Sequence, residues 1–88
     1  MKKIVSVIKP FIMNQNIFIY EAGNKIDALS VSLDDIHEIL VDTAIKYEAT
    51  EIELIGSIKY LNGIANKIKE TEINKYNENK FNIKIISG

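Results

Sequence analysis

The chain has no cysteine and no arginine, and each absence removes a class of chemistry. Without cysteine there is no disulfide frame, no thiolate nucleophile and no thiolate-ligated zinc. All 11 basic side chains are lysines, so the planar fork that grips guanine edges, phosphates and carboxylates at two points is missing. Histidine and proline occur once each, as His37 and Pro10. One imidazole rules out paired-histidine metal sites. No apolar run approaches the roughly 18 residues that a membrane-spanning helix requires.

What the chain has in quantity is isoleucine, 18 residues, and asparagine, nine. Ile, Asn and Lys share A/T-rich codons, as expected of a low-GC bacterial or phage genome. At 88 residues the chain is expected to form a single domain, 1–88, burying roughly 60–65% of its unfolded surface. A hydrophobic fraction of 47% beside 26% charged residues is a globular composition. The net charge of −1 and pI near 5.8 supply no general attraction to nucleic acid or anionic lipid. Met1-Lys2-Lys3 has the charge of a secretory leader, but Lys9 and Pro10 interrupt the apolar stretch and no small-residue cleavage site follows. A cytoplasmic protein is therefore expected.

Alternation and capping signals order the elements as β-β-β-α-β-α-β. Residues 3–9 are apolar on both faces, which suits a central strand that Pro10 ends. Residues 11–16 read as a loop with an apolar anchor. Residues 17–22 and 25–31 form a hairpin about Gly23-Asn24, with Tyr20 opposite Asp27 and Phe18 beside Leu29. Ser32, followed by Asp34 and Asp35, starts a helix whose buried stripe is Leu33, Ile36, Leu40, Ala44 and Tyr47. Thr50 to Ile55 alternates Glu51 and Glu53 against Ile52 and Leu54, and Lys80 to Ile86 alternates Lys80, Asn82 and Lys84 against Phe81, Ile83 and Ile85. The helix between them, near 58–75, carries Leu61, Ile64, Ala65, Ile68, Ile73 and Tyr76, with Gly63 admitting close packing on the sheet. Glu70 and Glu72 fall among its lysines, as on a solvated face.

The expected class is α/β, with α+β as the alternative: one mixed five-stranded sheet with both helices on one face. This order of elements is similar to the core of the ribonuclease H-like fold, which implies sheet order 3-2-1-4-5. The resemblance is one of topology and carries no sequence motif. Enzymes of that fold hold a metal-binding aspartate on the first strand; residues 3–9 contain no acid, and no helix follows the last strand before Gly88. The fold is expected without that catalysis, and with no cofactor.

Three places have the residue types for a site. Gly56, Ser57 and Lys59 lie where a parallel strand turns into a helix, a position that can hold a small anion or nucleotide. The same residues also serve as a tight turn and an N-cap, the simpler account, since neither G-x-G-x-x-G nor a P-loop is present. His37 has Asp34 one turn before it, too little for a general base or a metal site. Glu51 and Glu53 share a strand face, and Lys80 and Lys84 on the neighbouring strand account for them as cross-strand charge pairs.

No catalytic set converges, so the expected role is interaction rather than catalysis. If both helices cover one side of the sheet, Val5, Val7, Phe18, Leu29 and Val31 form an apolar patch on the other. Such a patch favours a homodimer; its alternative cover is the 11–16 segment. An unidentified protein partner remains compatible with this surface, and a weak nucleic-acid-binding fragment is the third expectation, which the acidic pI and missing arginine oppose.

Overall fold

The computed structural model describes all residues, 1–88. It contains β1 (Lys2–Val7), β2 (Asn14–Glu21), β3 (Asn24–Ser32), α1 (Ile36–Lys46), β4 (Glu51–Gly56), α2 (Ile58–Tyr76) and β5 (Asn82–Ser87). The strands form one mixed sheet ordered β3-β2-β1-β4-β5, as the order of elements implied. β2 is antiparallel to both neighbours, while β1, β4 and β5 are mutually parallel. No helix is long and apolar enough to cross a membrane.

The register arranges side chains in rows across the sheet, and alternation assigns each row to one face. Toward the helices run Asp27–Ile19–Ile4–Ile52–Ile83 and Leu29–Ile17–Ser6–Leu54–Ile85. These meet Ile36, Leu40, Val41 and Ala44 of α1 and Leu61, Ile64, Ala65 and Ile68 of α2 in one buried cluster. No element covers the opposite face, and the molecule is 21 Å across its thinnest dimension, the depth of one sheet and one helical layer.

The β2–β3 hairpin turns one residue earlier than the sequence pattern suggested. Ala22 and Gly23 form the turn, with φ of 51° and 83°, and Glu21 pairs with Asn24. Left-handed values at both central residues match the right-handed twist of the strands, which the Gly23-Asn24 reading overlooked because alanine rarely adopts them. A bulge then leaves Ile26 unpaired, so Ile19 faces Asp27 and Phe18 faces Ala28. The net shift of one residue turns Leu29 and Val31 over. Both pack against the helix-side core rather than lying on the open face.

The helices also depart in detail. Ser32 Oγ accepts the Asp34 amide and caps a short 3₁₀ turn, Leu33–Asp35, before α1 begins. α2 ends at Asn77, left-handed at φ 60°, whose amide bonds the Ile73 carbonyl. The buried stripe of α2 continues from Ile68 to Glu72, four residues on, while Ile73 is exposed. Gly63 faces outward, with nothing within 4 Å of where a Cβ would stand. Close packing on the sheet is therefore not its role.

Candidate functional site

In a sheet of this order the chain leaves β1 toward β2 on one side and leaves β4 toward β5 on the other. A crevice opens at the C-terminal ends of those two strands, where open α/β sheets bind ligands. The segment after β1 contains a turn closed by the Ile12 amide on the Lys9 carbonyl at 3.1 Å, with Pro10 supplying the fixed φ that such a turn favours. The segment after β4 is Gly56-Ser57. Between them lies an open cleft of about 800 Å³ lined by Pro10, Phe11, Ser57, Lys59, Tyr60, Gly63, Ile64 and Lys67.

Two of the sequence-selected residues, Ser57 and Lys59, thus line this cleft. Ser57 occupies the N-cap position of α2, but its hydroxyl makes no capping bond. Gly56 has a separate, structural reason to be glycine. Its φ is 152° and an added Cβ would lie 2.9 Å from the Ile8 carbonyl oxygen, where β1 and β4 remain paired by Ile8 N–H to Ile55 O at 2.8 Å.

Phe11, Ile12 and Met13 do not fold over the open sheet face. Phe11 is 98% exposed and its two neighbours are about half exposed. The turn is fixed instead by Gln15, which sits at the start of β2 rather than in a loop and is buried at 2%. Its Oε1 accepts the Lys9 amide at 2.8 Å, and its Nε2 donates to the carbonyls of Lys9, at 2.7 Å, and Ile12. The amide side chain therefore replaces a short stretch of β-ladder. Its signal in the sequence is parity with Ile17 and Ile19, which makes Gln15 a polar residue at a core-facing position.

The open face carries the rows Lys25–Tyr20–Lys3–Glu51–Asn82, Ala28–Phe18–Val5–Glu53–Lys84 and Ser30–Asn16–Val7–Ile55–Ile86. Glu51 and Glu53 lie on the face opposite the helices, as expected. However, Glu53 is only 8% exposed, and its ion partner is Lys3, at 3.0 Å, instead of Lys84. That close contact with the Glu53 carboxylate holds the Lys3 ammonium above the usual lysine range. Lys80 precedes β5 and sits apart from both glutamates, 3.5 Å from Glu78 and over the Tyr76 ring. The apolar residues form one contiguous block of Phe18, Val5, Val7, Ile55 and Ile86 across four strands, extended toward β4 and β5 by Ile55 and Ile86 instead of toward β3 by Leu29 and Val31.

Glu72 corrects the reading of α2 as uniformly solvated. It is fully buried, and Oε1 accepts the amides of Lys80, at 2.9 Å, and Phe81, at 3.1 Å, tying the entry of β5 to α2. His37 is half-buried on α1, and no group of three or more His, Asp or Glu side chains is placed to hold a metal ion. Against models of protein families, characterised proteins and solved structures, the chain finds no match.

Proposed function

We propose that the protein is a small non-catalytic interaction module of the cytoplasm that self-associates through the open face of its sheet. The observation supporting this reading is the apolar block of Phe18, Val5, Val7, Ile55 and Ile86 on the face without a helix, where Val7 is 39% exposed, Phe18, Ile55 and Ile86 are half-buried and Val5 is down to 9%. Apolar surface of this kind, rimmed by charge, is stabilised by removal from water. Five strands with three outward residues each present a face of roughly 24 by 20 Å. In projection that is roughly 480 Å², short of the ~800 Å² per partner of a standard stable interface, so side-chain relief and the rim must supply the remainder. Lys3 and Glu53 pair within the chain, and the rim keeps both signs in Lys25, Lys84 and Glu51, charges that a two-fold related copy can match.

Size-exclusion chromatography with light scattering at micromolar concentration tests the reading; the expected mass is twice the 10.0 kDa of the chain. Phe18→Asp is expected to give a soluble, folded monomer. A wild-type protein that stays at 10.0 kDa, or a Phe18→Asp chain that unfolds, overturns it.

A second reading, a small-anion or nucleotide site at Gly56, Ser57 and Lys59, draws on the cleft that Ser57 and Lys59 line. A nucleotide at 100 times its dissociation constant would stabilise the fold by ~2.7 kcal/mol, which a thermal-shift panel detects. A flat panel removes this reading.

A further inference from the structure

The cleft beside α2 contains a glycine that the isolated chain does not need. Gly63 lies within a helix of 19 residues, where glycine is the least favourable residue short of proline. No left-handed φ requires it, and an added Cβ would meet nothing within 4 Å. Around it, Tyr60, Gly63, Ile64 and Lys67 follow one another at helical spacing and form a single wall. Pro10 and Phe11 form the opposite wall. The Gln15 clamp fixes the backbone of the turn that carries Phe11, and the Phe11 side chain stands 98% exposed at the cleft edge.

The charges of the cleft have one sign. Lys59 and Lys67 line it, no carboxylate does, and neither lysine belongs to an ion pair. The whole chain has a net charge of −1, so this local excess is not the reflection of a basic protein. The two lysines stand four residues to either side of Gly63, roughly 12 Å apart along the helix axis. One phosphate group is too small to meet both. An extended peptide with carboxylates four residues apart spans ~13 Å, and apolar side chains between them would enter the groove.

We propose that this cleft is a docking groove for an acidic peptide segment, with one aromatic or large apolar side chain seated over Gly63 between Phe11 and Tyr60 and its carboxylates on Lys59 and Lys67. Glycine at position 63 leaves room for the inserted side chain. The exposed Phe11 becomes one jaw of the groove, and charge complementarity sets the class of partner. This inference is independent of the sheet-face reading, since the two surfaces share no residue.

The test is fluorescence anisotropy of the full chain with a fluorescein-labelled short peptide, a central phenylalanine between glutamates. Saturable binding is expected, weakened roughly tenfold or more, the equivalent of 1.4 kcal/mol, when glutamine replaces the glutamates or when the chain carries Gly63→Leu or the pair Lys59→Glu and Lys67→Glu. Leucine favours helix over glycine, so Gly63→Leu should melt no lower than wild type, which separates a blocked groove from an unfolded chain. Absence of peptide binding, undiminished binding by folded Gly63→Leu, equal binding of the glutamine peptide, or preference for inorganic phosphate or a single-stranded oligonucleotide each overturns the proposal. None of these results depends on the mass measured for Phe18→Asp.

Discussion

Glu72 and Phe81 are joined by a hydrogen bond from the Phe81 amide to Glu72 Oε1, and the Lys80 amide shares the same oxygen. The bond links the far end of α2 to the first residues leading into β5, where the Lys80 ammonium also lies over the Tyr76 ring. Its acceptor is fully buried, and Oε2 has no hydrogen-bond partner. Glu72→Ala leaves two amides without an acceptor and is expected to cost about 2–4 kcal/mol. Glu72→Gln keeps the accepting oxygen and should cost clearly less. Urea unfolding of the two variants checks the order, and amide exchange in β5 should rise more in the alanine variant.

Gly56 is held by its neighbour across the sheet as well as by its own backbone. Any side chain there must adopt φ of 152° and approach the Ile8 oxygen to 2.9 Å. Gly56→Ala is expected to destabilise by about 1–3 kcal/mol through backbone strain alone, with further loss from the contact. Gly63→Ala, within α2 where nothing lies within 4 Å of an added Cβ, should instead stabilise by up to ~1 kcal/mol. Thermal melts of the two single variants should therefore move in opposite directions.

The Tyr47 hydroxyl donates to Asp27, linking the end of α1 to the outermost strand β3. This bond, with the Ala28 amide as second donor, holds the Asp27 carboxyl below the usual carboxylate range and the Tyr47 phenol above its own. A depressed carboxyl stabilises the fold above its unfolded value, near pH 4, and this contribution is lost as pH falls through the lower folded value. A raised phenol stabilises below pH ~10 and loses its contribution as pH rises further. Tyr47→Phe should remove the alkaline dependence and reduce the acid one, since the Ala28 amide still donates to Asp27, while leaving the ring in place. Unfolding curves of wild type and variant that stay parallel below pH 4 and above pH 10 would contradict this linkage.

Burial should rank substitutions more strongly than charge does. Ile52 is fully buried in the helix-facing row between Ile4 and Ile83, and Ile52→Ala is expected to cost ~2–5 kcal/mol. Lys84 lies opposite Glu53 in the register but makes no ion pair with it, so Lys84→Ala should stay within about 0.5 kcal/mol of wild type. Lys3→Ala should cost more than Lys84→Ala, because Glu53 is nearly buried beside Lys3. Chemical denaturation of the three variants tests the ranking.

Much of the fold was legible because the patterns are local. Alternation in Glu51–Ile55 and Phe81–Ile85, the Ser32 cap and the helical spacing of Leu61, Ile64 and Ile68 each depend on a few consecutive residues. Two helices as crossovers then make β1, β4 and β5 parallel. Register across the hairpin was less legible, since alanine at a left-handed position and the bulge at Ile26 are small-energy choices that neighbouring packing settles. One residue of slip was enough to move Leu29 and Val31 to the other face.

For the candidate sites, the chain by itself marked Ser57 and Lys59, because a strand-to-helix turn has a sequence signature. It could not mark Phe11, Tyr60, Gly63 and Lys67 as their companions, since the cleft exists only where the turn after β1 meets the helix after β4. Gln15 and Glu72 show the same division. Both sit at core-facing positions by periodicity, yet a polar side chain becomes a structural part only when distant backbone groups come within hydrogen-bond reach. Element identity is set by neighbours in the chain; the partners of buried polar groups and the composition of an open face are set by which strands and turns the sheet brings side by side.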